Sequence, residues 1–292
     1  MSEASDKQIR ALIPKDADSL KEYRRVVGTG LRVMIHDELP KPEELDVKEV
    51  GKKVEQGDLV WRRYLIGRKG AGEQIPAIGL KGKDFDGTVV IWIHPQGKSS
   101  LFQGGKLVPA AQKIIDGKGA IFAPDVLLTG EFGDAKMQPG SKTYAGYYYG
   151  YNRPLLAERV HDILTAVAVA KRHEKTEKVH LVGFDKAGPW VMLARGLCGD
   201  AVARTAADVN GFRFEKVESL YDEMMLPGAV KYGGLPALAA LAAPGELYLH
   251  NQRGTGIGQW LKATYAAAKA SDHLHTSGDK VDAEKVAEWL VR

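Results

Sequence analysis

Cysteine is almost absent from this sequence of 292 residues, in which Cys198 is the only one. A chain with one thiol cannot form an internal disulfide, so its fold must depend on packing alone. Cys198 follows a run of apolar residues, which favours a buried small side chain over a reactive thiol. The eight histidines also lack the spacing to cysteines or carboxylates that is typical of a metal site. We therefore expect no disulfide, no metal and no cofactor.

Long hydrophobic runs and an excess of one charge are missing as well. No window approaches the ~20 apolar residues of a membrane-spanning helix, and the N-terminus lacks an apolar segment of signal-peptide length. The 41 basic and 37 acidic residues give a net charge of +4, without the basic cluster that nucleic-acid binding requires. We expect no membrane or nucleic-acid partner and a soluble, cytoplasmic protein, unless the chain is cut from a longer one.

The apolar pattern predicts an α/β fold with a mixed, mostly parallel sheet and helices on both faces. We divide the chain into a helical leader (1–55) and a main domain (56–292), with 212–241 as a small cap. The leader helix is predicted at 18–36, with Asp18 or Ser19 as its N-cap. Predicted strands are 61–66, 74–80, 88–93, 120–128, the segment before Asp185, 203–209, 246–250 and 272–276. Further predicted helices are 101–115, 257–269, 283–291 and those that begin near Pro154 and Pro189.

A short apolar strand from Val179 to Gly183 runs into a tight turn that opens a helix. In the pattern G-x-S-x-G, this turn presents a nucleophilic serine. Here Asp185 stands at the serine position, and Ala187 replaces the closing glycine, with Gly188 following it. The turn therefore predicts a hydrolase scaffold with an unusual residue at its reactive point.

Three short segments, 88–97, 123–125 and 182–188, resemble the acetyl xylan esterase and dienelactone hydrolase branch of the α/β hydrolases. The resemblance extends over roughly residues 60 to 292 and implies an α/β-hydrolase fold. It implies a carbohydrate ester as substrate. The oxyanion hole would use backbone N–H groups near Gln96 and Gly97 and at Lys186. Similar bacterial sequences carry this module after a larger esterase module, which suggests a partner esterase module; a homo-oligomer is the other expected assembly.

The departures from this family concern its catalytic residues. Asp185 has no proton at neutral pH that a histidine could take. The loop 277–280, where the family has its histidine, contains none. His275 lies shortly before that loop, and His250 ends the preceding strand, where the family usually has its acid. We therefore expect an esterase-related protein with a non-standard or degenerate catalytic site.

Three hypotheses remain open for Asp185. An aspartate at the turn also resembles haloalkane dehalogenases and epoxide hydrolases, in which the carboxylate attacks carbon and a histidine then activates water. In that case His250 or His275 would be the base and Asp208 would orient it. Alternatively, Asp185 only caps the helix that begins at Lys186. A third hypothesis is a binding or assembly module that keeps the cavity without turnover.

Candidate ligand contacts surround the turn. His94 begins a loop at the carboxyl end of a strand, where open α/β sheets bind ligands. Trp92 is expected to form a wall of the pocket. Tyr148 belongs to a run of five tyrosines in residues 144–151, which could stack on a sugar. The glycine turn 254–258 has the spacing G-x-G-x-G, which argues against a nicotinamide site.

Overall fold

The computed structural model describes residues 3–132 and 145–292. Its strands are β1 (Leu45–Gln56), β2 (Leu59–Arg68), β3 (Ile75–Lys81), β4 (Thr88–Ile93), β5 (Phe102–Gln103), β6 (Lys106–Leu107), β7 (Ala120–Pro124), β8 (Lys178–Gly183), β9 (Arg204–Asp208), β10 (Glu246–His250) and β11 (Leu274–Thr276). Nine of them form one sheet in the order β1-β2-β3-β7-β4-β8-β9-β10-β11, while β5 and β6 form a separate hairpin. The first three strands are antiparallel, and those from β7 to β11 in this order are parallel.

The helices are α1 (Glu3–Arg10), α2 (Ala17–Tyr23), α3 (Thr29–Ile35), α4 (Pro109–Asp116), α5 (Ala145–Tyr151), α6 (Leu155–Arg172), α7 (Gly188–Cys198), α8 (Gly234–Ala239), α9 (Ile257–Ala267) and α10 (Ala283–Leu290). A π-helical turn at Arg24–Gly28 joins α2 to α3, so the predicted leader helix is continuous in the structure. No helix within the described ranges is both long enough and apolar enough to cross a membrane.

Alternate residues of the central strands build two hydrophobic cores, one on each face of the sheet. Ile91 and Leu181 belong to the larger core, together with buried residues of α6 and α7. Val90 and Trp92 face the smaller core with α4 and α10. Because successive side chains of a strand point to opposite faces, a strand buried on both sides is apolar throughout, as β4 is. The predicted α/β architecture is confirmed.

Three local predictions were wrong. The predicted helix 101–115 is the hairpin β5–β6 followed by α4, because Gly104 and Gly105 adopt the positive φ values of a turn. Asp16 caps α2 instead of Asp18 or Ser19; its carboxylate accepts the Ser19 N–H. The 1–55 leader is not wholly helical, since β1 begins at Leu45; most β1 side chains are exposed, so the strand has little apolar pattern to detect.

The segment 212–241 is only partly a cap. Its second half contains α8, whose Leu235 and Leu238 are fully buried in the larger core. Its first half lines a cavity of about 350 Å³ beside Lys186. The segment thus contributes to the main core as well as to the surface near the strand ends.

Candidate functional site

The sharp turn after the central strand β8 places Asp185 at the carboxyl ends of the parallel strands. Asp185 has φ +49°, a left-handed conformation that costs a non-glycine residue about 1–3 kcal/mol. The backbone approaches closely here: a Cβ on Gly188 would lie 1.7 Å from the carbonyl oxygen of Asp208. The Asp185 side chain is 44% exposed. The turn therefore directs a strained, accessible carboxylate outwards, as the sequence predicts.

Asp185 does not cap a helix. Helix α7 begins at Gly188, its N-cap is Ala187, and no side chain caps it. The carboxylate instead accepts a hydrogen bond from Lys280 Nζ at Oδ1. The capping hypothesis was wrong, because the left-handed turn places Asp185 outside the first turn of α7.

Lys280 is the residue that sequence reasoning missed. It lies in the loop after β11, where the esterase resemblance expects a histidine, and its Nζ is also 3.5 Å from Asp208 Oδ2. Its hydrogen bond to Asp185 raises the pKa of Lys280. The sequence did contain a signal for this residue, because Lys280 is the only cationic residue in the loop 277–280. The parallel order of β8, β9 and β11 brings the three charged groups to one edge.

His94 lies on the other side of Asp185. Its Nε2 is 3.6 Å from Asp185 Oδ2, which is beyond hydrogen-bonding distance. Its Nδ1 accepts the Gln96 N–H at 3.0 Å. Burial lowers the pKa of His94, although Asp185 acts in the opposite direction. His94 is therefore a neutral imidazole at neutral pH, with its proton on Nε2.

Asp208 and His250 form the buried floor of the site, paired in register at the ends of β9 and β10. Asp208 Oδ1 accepts hydrogen bonds from Asn210 N–H at 2.8 Å and Asn251 Nδ2 at 2.7 Å. His250 Nδ1 accepts the Val281 N–H at 3.2 Å, and burial lowers the pKa of this imidazole. Asp208 Oδ2 and His250 Nε2 are both buried and have no hydrogen-bond partner among the residues described.

These groups surround a cavity of about 260 Å³. Its polar side is formed by Asp185, Asp208, Lys280 and the two imidazoles. Its apolar side includes Trp92 and Phe184, whose ring centroids are 4.3 Å apart, with Val108 and Pro109 beside them. The structure thus brings Trp92, His94, Asp185, Asp208 and His250 together, as the sequence analysis expects of one site.

Two predicted site residues do not reach this cavity. His275 lies opposite Tyr248 in the β10–β11 register and contacts the ring of Trp289 at 5.8 Å, so the pairing of β11 directs it to the sheet edge and away from Asp185. Tyr148 lies on α5, 5.0 Å from the Tyr149 ring. Tyr149 in turn donates to the Leu220 carbonyl. Neither His275 nor Tyr148 lines the cavity. Tyr144 lies outside the described residues.

Of the expected oxyanion donors, the N–H groups of Gln96 and Gly97 are engaged within their own loop. The Gln96 N–H binds His94 Nδ1, and the Gly97 N–H donates to the His94 carbonyl at 2.8 Å. Neither is therefore available to a ligand in this conformation. The Lys186 side chain is 64% exposed, 3.7 Å from Glu223, and lines the separate cavity beside 212–224.

A buried carboxylate fixes the loops at this end of the sheet. Asp125, fully buried after β7, accepts hydrogen bonds from the Lys98 N–H at 2.7 Å and the Glu131 N–H at 2.9 Å, and also from Lys98 Nζ. A Cβ on Gly97 would lie 2.1 Å from Asp125 Oδ1. Asp125 therefore positions the loop that carries His94.

Comparisons with known proteins identify the fold. No protein-family model and no curated protein matches the chain. Among solved structures, a Bacteroides fragilis protein provisionally named an acetyl xylan esterase matches 92% of this chain and 80% of its own, with 12% identity and a TM-score of 0.61. A methylesterase matches 99% of this chain and 66% of its own, with 14% identity and a TM-score of 0.59. The match to a promiscuous CE15 esterase from a marine bacterial metagenome covers 94% of this chain and 81% of that protein, with 11% identity and a TM-score of 0.55.

This chain has the α/β-hydrolase fold. At identities of 11–14%, the similarity establishes the fold, but it does not establish that this chain shares the chemistry of those proteins. Within the described residues, no group of three or more histidine, cysteine, aspartate or glutamate side chains could hold a metal ion. The chemistry of the site therefore depends on the residues and the geometry of this chain.

Proposed function

We propose that this protein binds a small ligand at the Asp185 cavity and does not hydrolyse it. The observation that carries the proposal is the hydrogen bond from Lys280 to Asp185. The esterase resemblance expects a serine and a histidine at these two positions. An ammonium group with a raised pKa cannot accept a proton near neutral pH, and a carboxylate has none to give. Acyl transfer would therefore lack both its nucleophile and its base.

Hydrolysis through an aspartyl ester meets a second obstacle. A carboxylate can attack carbon unaided, but release of the ester needs a base that activates water. His94 and His250 already accept backbone N–H groups at Nδ1. In the neutral ring the other nitrogen then carries the proton, so neither imidazole has a free lone pair. Lys280 also stabilises the Asp185 carboxylate and makes it a weaker nucleophile.

The cavity itself supports ligand binding. It combines a few convergent polar groups with an aromatic wall, which is the usual composition of a small-molecule site. The cavity lies at the carboxyl ends of the parallel strands, where open α/β sheets bind ligands. An esterase module or a second copy as partner remains a separate proposal that the cavity does not require.

A turnover assay tests the proposal. The chain is incubated with p-nitrophenyl acetate, an acetylated xylo-oligosaccharide, 1-bromobutane and styrene oxide, and products and intact mass are measured. We expect product formation no faster than with Asp185→Asn, and no covalent adduct. Asp279→Asn serves as the matched control, because Asp279 lies in the same loop but is 75% exposed and paired with Arg253. Turnover that Asp185→Asn abolishes and Asp279→Asn keeps, or an adduct on Asp185, would overturn the proposal.

A further inference from the structure

The charge of the Asp185 cavity determines which charge its ligand should carry. Among the residues that the structure describes, four carboxylates line it, those of Asp185, Asp208, Asp282 and Glu284, against one ammonium group, that of Lys280. His94 and His250 add no positive charge, since both are neutral. A cavity with low-dielectric walls concentrates the field of such a charge set. An anionic ligand would be repelled here, and a cation would be attracted.

A buried donor shows that the floor of the cavity is not complete by itself. His250 is 2% exposed, yet its Nε2 has no hydrogen-bond partner in the described part of the chain. The buried Asp208 Oδ2 also lacks a hydrogen bond, but it lies 3.5 Å from Lys280 Nζ. Buried polar groups are nearly always paired. Because the imidazole Nε2–H is a donor, a ligand that completes it must offer an acceptor.

A metal ion does not fit these residues. Metal-binding groups of three or more side chains are absent from residues 3–132 and 145–292, so the acidic wall lacks the convergent geometry that divalent ions need. The opposite wall is apolar, with Trp92 and Phe184 at its centre. Aromatic faces attract organic cations as well as apolar groups. The cation therefore has an organic body.

We infer that the cavity binds a small organic ammonium ion that also carries an oxygen atom, of which an amino alcohol is the simplest case. Asp185 Oδ1 is occupied by Lys280, but Oδ2 is open and 3.6 Å from His94 Nε2, so the ligand's ammonium group binds at Oδ2. The ligand's oxygen accepts from His250 Nε2. The apolar part lies against Trp92 and Phe184. The inference rests on the proposed function and names the ligand class of the same site.

Four probes on one phenylethyl frame test the ligand class by calorimetry. They are 2-amino-1-phenylethanol, 2-phenylethylamine, 2-phenylethanol and phenylacetate. We expect the amino alcohol to bind at least about tenfold more tightly than the neutral alcohol or the anion. It should bind about threefold more tightly than the amine that lacks oxygen. Tighter binding of the alcohol or the anion, equal binding of the two amines, or binding by none of the four would overturn the inference.

Variants locate the binding. Asp185→Asn should weaken the binding of 2-amino-1-phenylethanol at least about tenfold. Glu284→Gln, at the exposed mouth of the cavity, should weaken it about twofold. Asp279→Asn removes a similar charge outside the cavity and should leave the affinity unchanged. Equal losses in all three variants would contradict the assignment. The two proposals fail in different experiments. Calorimetry tests the ligand class, whereas the proposed function is overturned by the turnover assay, if the native protein shows turnover that Asp185→Asn abolishes, whichever probe binds.

Discussion

Two clusters of charged side chains in this molecule have opposite characters. The site cluster, Asp185, Lys280 and Asp208, lies at the carboxyl ends of the strands, and the side chains of Asp185 and Lys280 are 44% and 60% exposed. The leader cluster comprises Asp37, Arg68, Glu73 and His161. It joins the loop after α3 to β2 and α6, and Asp37 and His161 are only 7% and 6% exposed. One cluster is open and strained, and the other is buried.

The leader cluster is internally satisfied. Arg68 donates two hydrogen bonds to Asp37, at 2.7 and 3.0 Å, and His161 bridges Asp37 and Glu73 with contacts of 2.6 Å on its two nitrogens. The site cluster instead leaves the buried Asp208 Oδ2 without a hydrogen bond in the described residues, 3.5 Å from Lys280 Nζ, and holds Asp185 at positive φ. Groups that serve stability usually complete one another's hydrogen bonds, and departures from that rule are expected at functional sites. The difference agrees with a structural role for the leader cluster and with the proposed binding role for the site cluster.

The largest effect is expected from breaking the leader cluster. Asp37→Asn removes the carboxylate that pairs with both Arg68 and His161, so that Arg68 loses its carboxylate partner and His161 keeps only Glu73. We expect a loss of about 3–5 kcal/mol in the free energy of unfolding, measured by urea denaturation. Glu49→Gln is the control, since the Arg62–Glu49 pair is exposed and should change stability by less than about 1 kcal/mol. Similar losses in both variants would contradict a special role for burial.

The backbone beneath the site should be almost as sensitive. Gly188→Ala would place a Cβ 1.7 Å from the Asp208 carbonyl oxygen, so β9 and α7 must separate, and we expect a loss of about 3 kcal/mol. In Gly258→Ala, the new Cβ in α9 meets only the end of Gln252, at 4.0 Å. That substitution should be neutral or stabilising by up to about 1 kcal/mol. Thermal unfolding of both variants measures the difference, and equal melting temperatures would argue against the close approach.

The pH dependence of stability tests the leader cluster without changing its packing. Burial alone would lower the pKa of His161, but its bonds to Asp37 and Glu73 raise it to about 9. Because the folded pKa exceeds the unfolded value near 6.5, this stabilisation is complete below pH 6.5 and is lost as the pH rises through 9. The native protein should lose up to about 3 kcal/mol relative to His161→Gln across that range. Parallel stability curves for the two proteins would show that His161 is not charged in the folded state.

Asp162, on the same helix, gives a pH effect in the same direction, but here the ionised form of the side chain destabilises the fold. Burial raises the pKa of Asp162 to about 7, although its Oδ2 accepts the Leu127 N–H at 2.7 Å. The folded protein therefore retains a proton that the unfolded chain releases near pH 4, so stability falls as the pH rises from 4 to 7. Asp162→Asn keeps an acceptor oxygen and should stabilise the protein above pH 7 by up to about 4 kcal/mol, and by little at pH 4. Destabilisation at both pH values would contradict this account.

How far the sequence predicts each region follows from its chemistry. The bounds of β4 are predicted correctly because continuous burial makes this strand apolar, and β1 is missed because most of its side chains face solvent. The turn at Asp185 is predictable from local pattern. Its partner Lys280 is not, since the resemblance directs attention to histidine and the contact joins positions 95 residues apart. The leader cluster has little local signal, because three separate parts of the chain supply its members: the loop after α3, the end of β2 with the turn that follows it, and α6.

The smallest effect should come from the site cluster itself. Lys280→Ala removes the ion pair with Asp185 and the 3.5 Å contact with the buried Asp208. Solvent screens the first interaction because both side chains are largely exposed, and Asp208 keeps its hydrogen bonds from Asn210 and Asn251. The loss of stability should therefore be under about 1 kcal/mol. Urea denaturation beside Asp37→Asn makes the comparison direct. A loss as large as that of Asp37→Asn would mean that Lys280 holds the fold together, and the division between a structural and a binding cluster would then be wrong. A small loss would agree with a role of Lys280 at the cavity and not in the stability of the fold.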